Sequence, residues 1–426
     1  MSKNDVKKMT IEQHFNPEQQ GQYIEVPFEM PSNAVILRVT YHVEGTESVI
    51  DLGVKDPLRI RGWSGGARKE FRIENHVATP GYLSGPLHEG KWSVLLGLYK
   101  IQSDGCSVQL SVEISIGQPQ WLKGDLHTHT VHSDGQYQFH DVVSIASERE
   151  LDFIALTDHN TVSQNYTYPR NTNILFIPGL ELTTNYGHSN LLGIEDPNID
   201  FRITKGKDEK IKDALASAKS KGAKIVLNHP HCPYCPWEWD FDVEFDWVEV
   251  WNGPWREGNE ATLKWWHGQL CLGKRIVAVG GSDVHRPDPF VKHGYPTTWV
   301  YSNGKTVEKI LEAIDQGHVF ISYSPTGPRA ELIYGTYMMG DIAVQREDQY
   351  LEVKLDQLKH GDEVKFISNE KVEKSVQIFD KQNLTEHLHI STQKFIRVEV
   401  WRYFSETDNN SLALASNPIY FSTSLS

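Results

Sequence analysis

Four cysteines in 426 residues are too few for a disulfide framework, and no run of about 18 apolar residues is available to cross a bilayer. Both absences point to a reducing, aqueous compartment, so a cytoplasmic location is expected. The opening Met1-Ser2-Lys3-Asn4-Asp5-Val6-Lys7-Lys8 is basic but no apolar segment follows it, and a secretory signal is not expected. Positive charge is also scarce: 42 Lys and Arg face 56 Asp and Glu, for a net charge of -14. A field of that sign repels nucleic-acid backbones and anionic membrane surfaces, so the expected partner is a small-molecule substrate, with no nucleic acid and no membrane. Subunit number is left open.

What the chain does have is histidine set beside carboxylate. Gly124-Asp125-Leu126-His127-Thr128-His129-Thr130-Val131-His132-Ser133-Asp134-Gly135 follows an apolar lead-in and crowds imidazoles and carboxylates together. In a strand, residues two apart share a face, so His127 and His129 can offer neighbouring nitrogens to one cation. Alternating strand–helix folds place their chemistry where strands end, and later strand-like runs end on the same residue types. Asp152–Thr157 leads to Asp158-His159-Asn160, and Ile174–Leu180 leads to Glu181, with His188 just before Leu191-Leu192. Ala223–Leu227 delivers Asn228-His229-Pro230, and Arg275–Ser282 delivers Asp283-Val284-His285. One histidine at a strand end is usually a hydrogen-bonded structural residue, and one His-x-His occurs by chance. Five such ends in order are poorly explained that way.

His127-x-His129 with Ser133-Asp134-Gly135, Thr157-Asp158-His159, Gly179-x-Glu181, Asn228-His229-Pro230 and Gly281-Ser282-Asp283-x-His285 resembles the PHP (polymerase and histidinol phosphatase) metallohydrolases over about residues 121 to 325. Arg61-Gly62-Trp63-Ser64-Gly65-Gly66, Pro80-Gly81-Tyr82, Glu249-Val250-Trp251-Asn252-Gly253 and Asn417-Pro418-Ile419 are similar to the carbaryl-hydrolase branch. The resemblance implies a distorted seven-stranded βα barrel. It also implies one metal on His127, His129, Glu181 and Asp283, a second on Glu181, His188 and His229, and a third among Asp134, His159 and His285. His231 competes with His188 for the second position. The expected cofactors are therefore two or three divalent ions, zinc, manganese or iron, since histidine and carboxylate suit all three.

The surrounding chain divides by pattern, and a length of 426 residues favours two or three domains. Residues 1–120 show short alternating runs broken by glycine and proline, which predicts an all-β, sandwich-like domain. Residues 121–325 alternate strands with helices, predicted over Phe139–Arg149, Glu209–Lys221, Glu257–Cys271 and Thr306–Gln316, which predicts an α/β barrel carrying the metal site. Residues 326–426 return to strands as a β-rich C-terminal module. Gly62-Trp63-Ser64-Gly65-Gly66 fits the nucleophile elbow G-x-S-x-G, but strand character resumes after it where the elbow needs a helix. Arg59, Arg61, Arg68 and Lys69 make that glycine-rich loop basic, and an overhang of the metal site is one role for it. Cys232-Pro233-Tyr234-Cys235 is read as ordinary loop thiols, with a stray metal ligand or redox sensitivity as the alternative.

The chemistry expected of such a site is hydrolysis. Metals about 4 Å apart share a water and bring its pKa toward neutrality, so a metal-bridging hydroxide serves as nucleophile. Glu181 is the natural bridging ligand, Asp283 orients the water or takes its proton, and His285 or His132 protonates the leaving group. Arg256 and Arg286 are candidate substrate contacts. Trp251 is another, within the aromatic group Trp237, Trp239, Trp247, Trp251 and Trp255, although aromatics there more often pack a long loop. A phosphoesterase acting on a small phosphate ester is the first reading, and a carbamate, ester or amide hydrolase is the second. A non-catalytic carbohydrate-binding or structural protein is the third, and it would show missing ligands.

Overall fold

The computed structural model describes residues 5–44, 47–75, 77–170, 172–206, 208–380 and 382–423. The first four residues of the basic N-terminus lie outside the described residues. The chain forms two compact units, Met1–Gln120 and Trp121–Ser426. No helix among the described residues is long and apolar enough to cross a membrane.

The first unit is all β. Strands such as Cys106–Ile116 bury every second side chain, the period that sends alternate residues to opposite faces. Asp5–Phe15, Cys106–Ile116, Ala34–Val43 and Glu70–Glu74 form one four-stranded sheet, and Tyr23–Met30, Gly90–Lys100, Val49–Lys55 and Ile60–Gly65 form another. Leu37, Val39 and Leu110 of the first sheet share one apolar core with Leu52, Trp92 and Val94 of the second. Ser64 closes a strand, within reach of Tyr82 Oη at 2.9 Å and Leu52 O at 3.2 Å, so the elbow geometry is absent. Arg61 is a buried structural cation that donates to Asp56 Oδ2 at 3.1 Å and to the carbonyls of Leu83, Gly85 and Pro86. Arg59, Arg68 and Lys69 are exposed.

In the second unit the four helices fall where apolar spacing puts them, at Phe139–Glu148, Asp208–Ser220, Glu257–Cys271 and Val307–Asp315. Gly222 and Gly317 follow two of them at φ +98 and +76, the left-handed geometry glycine adopts without a Cβ clash. Parallel strands Gln120–Asp125, Phe153–Ala155 and Leu175–Ile177 open one sheet. A second sheet runs Gly179–Thr184, Gly187–Leu192, Lys224–Leu227, Trp247–Asn252, Val277–Gly281. Its first two pairings are antiparallel and its last two parallel.

This departs from an evenly alternating seven-stranded barrel. A hairpin, 179–192, replaces one strand–helix repeat, and single bridges, Thr128 to Val284 and His159 to Glu181, link the two sheets just beyond their strand ends. Strands from both sides of the expected break at 325 also share one sheet. Val319–Ser322 pairs with Asn409–Ser416, which pairs with Phe395–Phe404. Strand partners distant in sequence are invisible to local periodicity, which is why the C-terminal strands look detachable in the sequence.

Candidate metal centre

Most of the ligand-type residues meet just beyond the carboxyl ends of these strands, while Glu181 lies within Gly179–Thr184 and His188 near the start of Gly187–Leu192. His127 and His129 follow the strand ending at Asp125, whose carboxylate accepts from the backbone N–H groups of His127 (3.2 Å), Ser282 (2.9 Å) and Gly294 (2.7 Å). Burial pushes Asp125 up to about 6 despite those bonds. At Gly281 a Cβ would overlap His127 Cβ and Glu249 Oε1, so only glycine lets the neighbouring segment approach this closely. His229 (φ +30) and Asp283 (φ +54) sit in left-handed backbone that non-glycine residues rarely adopt. Strain of this kind clusters at functional sites and persists because the surroundings fix it. Here the His229 N–H donates to Glu249 Oε2 at 3.0 Å and the Asp283 N–H to His127 O at 2.8 Å.

Glu181 lies at the centre. Its Oε1 is 3.3 Å from His127 Nε2, 3.2 Å from His188 Nδ1 and 3.7 Å from His229 Nε2. Its Oε2 is 2.7 Å from His159 Nδ1 and 3.6 Å from His129 Nε2. Asp283 Oδ1 stands 3.0 Å from His129 Nε2 and 3.3 Å from His127 Nε2. Asp134 Oδ1 faces the Nε2 atoms of His159 at 3.5 Å and His285 at 3.4 Å, and those two nitrogens are 3.4 Å apart. Exposure rises from the floor to the rim: the side chains of His127, His129 and Glu181 are at most 1% exposed, while Asp283 and His285 are 26% and Asp134 is 63% exposed. The centre therefore has a sealed base and an open mouth.

The electrostatics are those of carboxylates looking for cations. Burial opposes ionisation of Glu181, yet His127, His159 and His188 hold it well below the usual carboxylate range. Asp283 is likewise opposed by burial and held low by His127 and His129. Burial lowers His129. It would lower His127 and His229 too, but Asp283, Glu249 and Glu181 keep His127 well above an ordinary imidazole and His229 up at about 9.

All nine residues named from the sequence as metal ligands lie in this cluster. They fall into groups whose ligand atoms lie within 4.8 Å of one another: His127, His129 and Glu181; His129, Asp134, His159 and His285; and His188 and His229 together with Cys235. Asp283 joins the first group through the contacts above. His231 does not compete with His188, because its Nδ1 pairs with Thr262 Oγ1 at 3.2 Å and its ring stacks on Phe241. His132 is also outside, held between Ser163 Oγ (2.8 Å) and Thr167 Oγ1 (3.2 Å). Arg256 and Arg286 are exposed, and Arg256 Nε donates to Pro254 O. Trp251 is 2% exposed and bonds Gly253 O through its indole N–H, so most of its surface is core packing.

Two contributors were not assigned a role from the sequence. Glu249 Oε1 lies 2.9 Å from His127 Nδ1, and Oε2 accepts from the His229 N–H and Asn252 Nδ2. Asn228 Nδ2 donates to Glu181 Oε1 at 2.8 Å. Glu249 stood in the quoted Glu249-Val250-Trp251-Asn252-Gly253 stretch, and a carboxylate within a fully buried strand was the available signal.

No protein-family model matches the chain, and no curated protein matches it. Among solved structures it is similar to a two-domain protein from Bacteroides vulgatus containing a predicted PHP-like metal-dependent phosphoesterase. Identity is 19% over 71% of this chain and 96% of that chain, with a TM-score of 0.42. It is also similar to an amidohydrolase from Chromobacterium violaceum with bound sulfate and no metal, at 17% identity over 40% of this chain and 89% of that chain, with a TM-score of 0.28. Likenesses this faint carry no functional weight, and neither bears on the carbaryl-hydrolase branch.

Proposed function

We propose that this chain is a PHP-type metal-dependent hydrolase, first of all a phosphoesterase acting on a small-molecule phosphate ester. One observation carries the reading: His127 Nε2, His129 Nε2 and Glu181 Oε2 are buried without a hydrogen bond of normal geometry, and His127, His129 and Glu181 offer ligand atoms within 4.8 Å of one another. Buried polar atoms are almost always satisfied, and leaving one unmet costs about 1–3 kcal/mol. Such a group fits a divalent cation, and the imidazole–carboxylate donor set suits zinc, manganese or iron. Bound there, such ions would lower the pKa of a water and draw charge from a phosphoryl oxygen.

The chain's own residues supply the rest. Glu249 accepts the Nδ1 proton of His127, which fixes the tautomer that turns Nε2 toward the cluster. His285 is set the same way by its Nδ1 contact with Asp283 O at 2.8 Å. Glu181, central and acceptor-only, would hold cations together with His127, His129 and His188. Asp283, partly exposed beside the floor, would orient the attacking water and accept its proton. His285, at the rim next to Asp134, would donate a proton to the leaving oxygen if its Nε2 is not taken by a cation.

A second reading, a carbamate, ester or amide hydrolase, draws support from a cavity of about 500 Å³ walled by Trp251, Trp255, Phe290, Tyr295, Tyr323 and Phe404. Two of its walls continue the segments that carry Glu249 and His285, and its aromatic lining suits an aryl group. The test is hydrolysis of aryl phosphates, phosphodiesters and aryl carbamates by metal-loaded protein, with Glu181→Gln and His229→Ala as controls. Phosphate turnover that falls in both variants is expected. Turnover of carbamates alone would replace the first reading with the second, and absence of both metal and turnover would defeat both.

A further inference from the structure

We propose that the Cys235 sulfur is a direct ligand of the cation at His188 and His229, giving that position two nitrogens and one sulfur. The inference rests on the metal-centre reading above and deepens it by assigning a donor that selects among metals. Ligand atoms of His188, His229 and Cys235 all lie within 4.8 Å of one another. Tetrahedral zinc, with bonds of about 2.0 Å to nitrogen and 2.3 Å to sulfur, sets those donors roughly 3.6 Å apart. Cys235 Sγ lies 3.7 Å from His229 Nδ1. Three protein ligands leave a fourth direction open, as catalytic zinc sites do; this cation would use His229 Nδ1, since the other nitrogen of the ring, Nε2, faces Glu181 Oε1 at 3.7 Å.

The loop is built to hold the sulfur in place. The Cys232 N–H donates to His229 O at 2.8 Å and the Trp237 N–H to Pro230 O at 2.9 Å, so the turn closes back on its own start. Gly258 lets a helix press on it, since a Cβ there would come within 2.9 Å of His231 O and 3.2 Å of Cys232 Cα. The Cys235 S–H donates to Cys232 Sγ at 3.2 Å, and a cation that takes Cys235 as thiolate would reverse this bond, leaving Cys232 as the donor. Coordination releases the Cys235 proton to solvent, because a bound cation deprotonates a coordinating thiol. Cys232 is thus a supporting partner, and the pair needs no disulfide to explain its spacing. A soft sulfur among imidazoles favours zinc over manganese at this position.

The test is titration of the metal-free full-length chain with cobalt(II), following the near-ultraviolet sulfur-to-cobalt charge-transfer band and the bound stoichiometry. Wild type and Cys232→Ser should show the band, and Cys235→Ser should lose it while still binding cobalt through the histidine and carboxylate positions. Cobalt bound with no sulfur band in wild type, or a band that survives Cys235→Ser, overturns the thiolate assignment and leaves the metal centre standing. No cobalt bound at all overturns both.

Discussion

Two sets of buried carboxylates in this molecule meet different kinds of cationic side chain. In the β-rich regions each meets an arginine. Asp56 faces Arg61, Asp362 takes a two-pronged pair of 2.7 Å bonds from Arg402, and Glu399 accepts from Arg397 at 2.6 Å. At the imidazole cluster, Glu181 and Asp283 face histidines, and His127, His129 and Glu181 have buried atoms that make no hydrogen bond of normal geometry although ligand-type neighbours stand close by. An arginine is permanently charged and its fork matches a carboxylate, so the first kind of site is complete within the chain. Histidine can release its proton and offer a lone pair instead, so the second kind can take its positive charge from a bound cation.

Breaking each kind should have different consequences. The largest effect is expected from Glu181→Gln, which keeps the shape and removes the central charge. Turnover should fall by about a thousandfold or more, since several kcal/mol of transition-state stabilisation passes through the cations, while thermal stability without metal also falls at neutral pH, because the fold holds the Glu181 carboxylate charged well below its usual range. Asp362→Ala should act on stability alone: it strands the buried Arg402 and costs about 3–5 kcal/mol in chemical denaturation, with turnover per folded molecule unchanged. Glu249→Gln comes next. It leaves every first ligand in place but loosens His127, and metal affinity measured by chelator competition should drop about 10–100-fold.

A separate test, seen only at acid pH, isolates a buried histidine that has neither kind of partner. His293 is 1% exposed, its Nε2 is unmet, and burial pulls it down to about 3. Its folded value is depressed, so the unfolded chain takes up the proton first as pH falls below about 6.5. Stability is then lost between that value and about 3, by about 1.4 kcal/mol per pH unit. His293→Phe should flatten this acid slope in unfolding curves; an unchanged slope would mean the ring is already charged in the fold.

The contrast also marks what was legible in the sequence. The ligand set could be read because His127, His159, Glu181, His229 and Asp283 each follow an apolar run, and strand ends are a local pattern. Helices at 139, 208, 257 and 307 announced themselves by spacing and terminal glycines. Glu249 could not be assigned a partner, since the imidazole it orients lies 122 residues away. Cys235 read as a loop thiol because its approach to His229 depends on how one turn closes. The pairing of the 319–322 strand with 409–416 was hidden for the same reason, since strands from both sides of 325 share that sheet although Arg329–Tyr334 belongs to another.

The central claim is that the imidazole–carboxylate cluster is completed by bound divalent cations. Thermal unfolding of the metal-stripped chain, repeated with rising zinc or manganese, tests it most directly. A ligand that binds only the folded state at 100 times its Kd adds about 2.7 kcal/mol. The account predicts a concentration-dependent rise in Tm for wild type that is lost in Glu181→Gln and kept in Asp362→Ala. A Tm that ignores both metals, or that rises equally in Glu181→Gln, would contradict it.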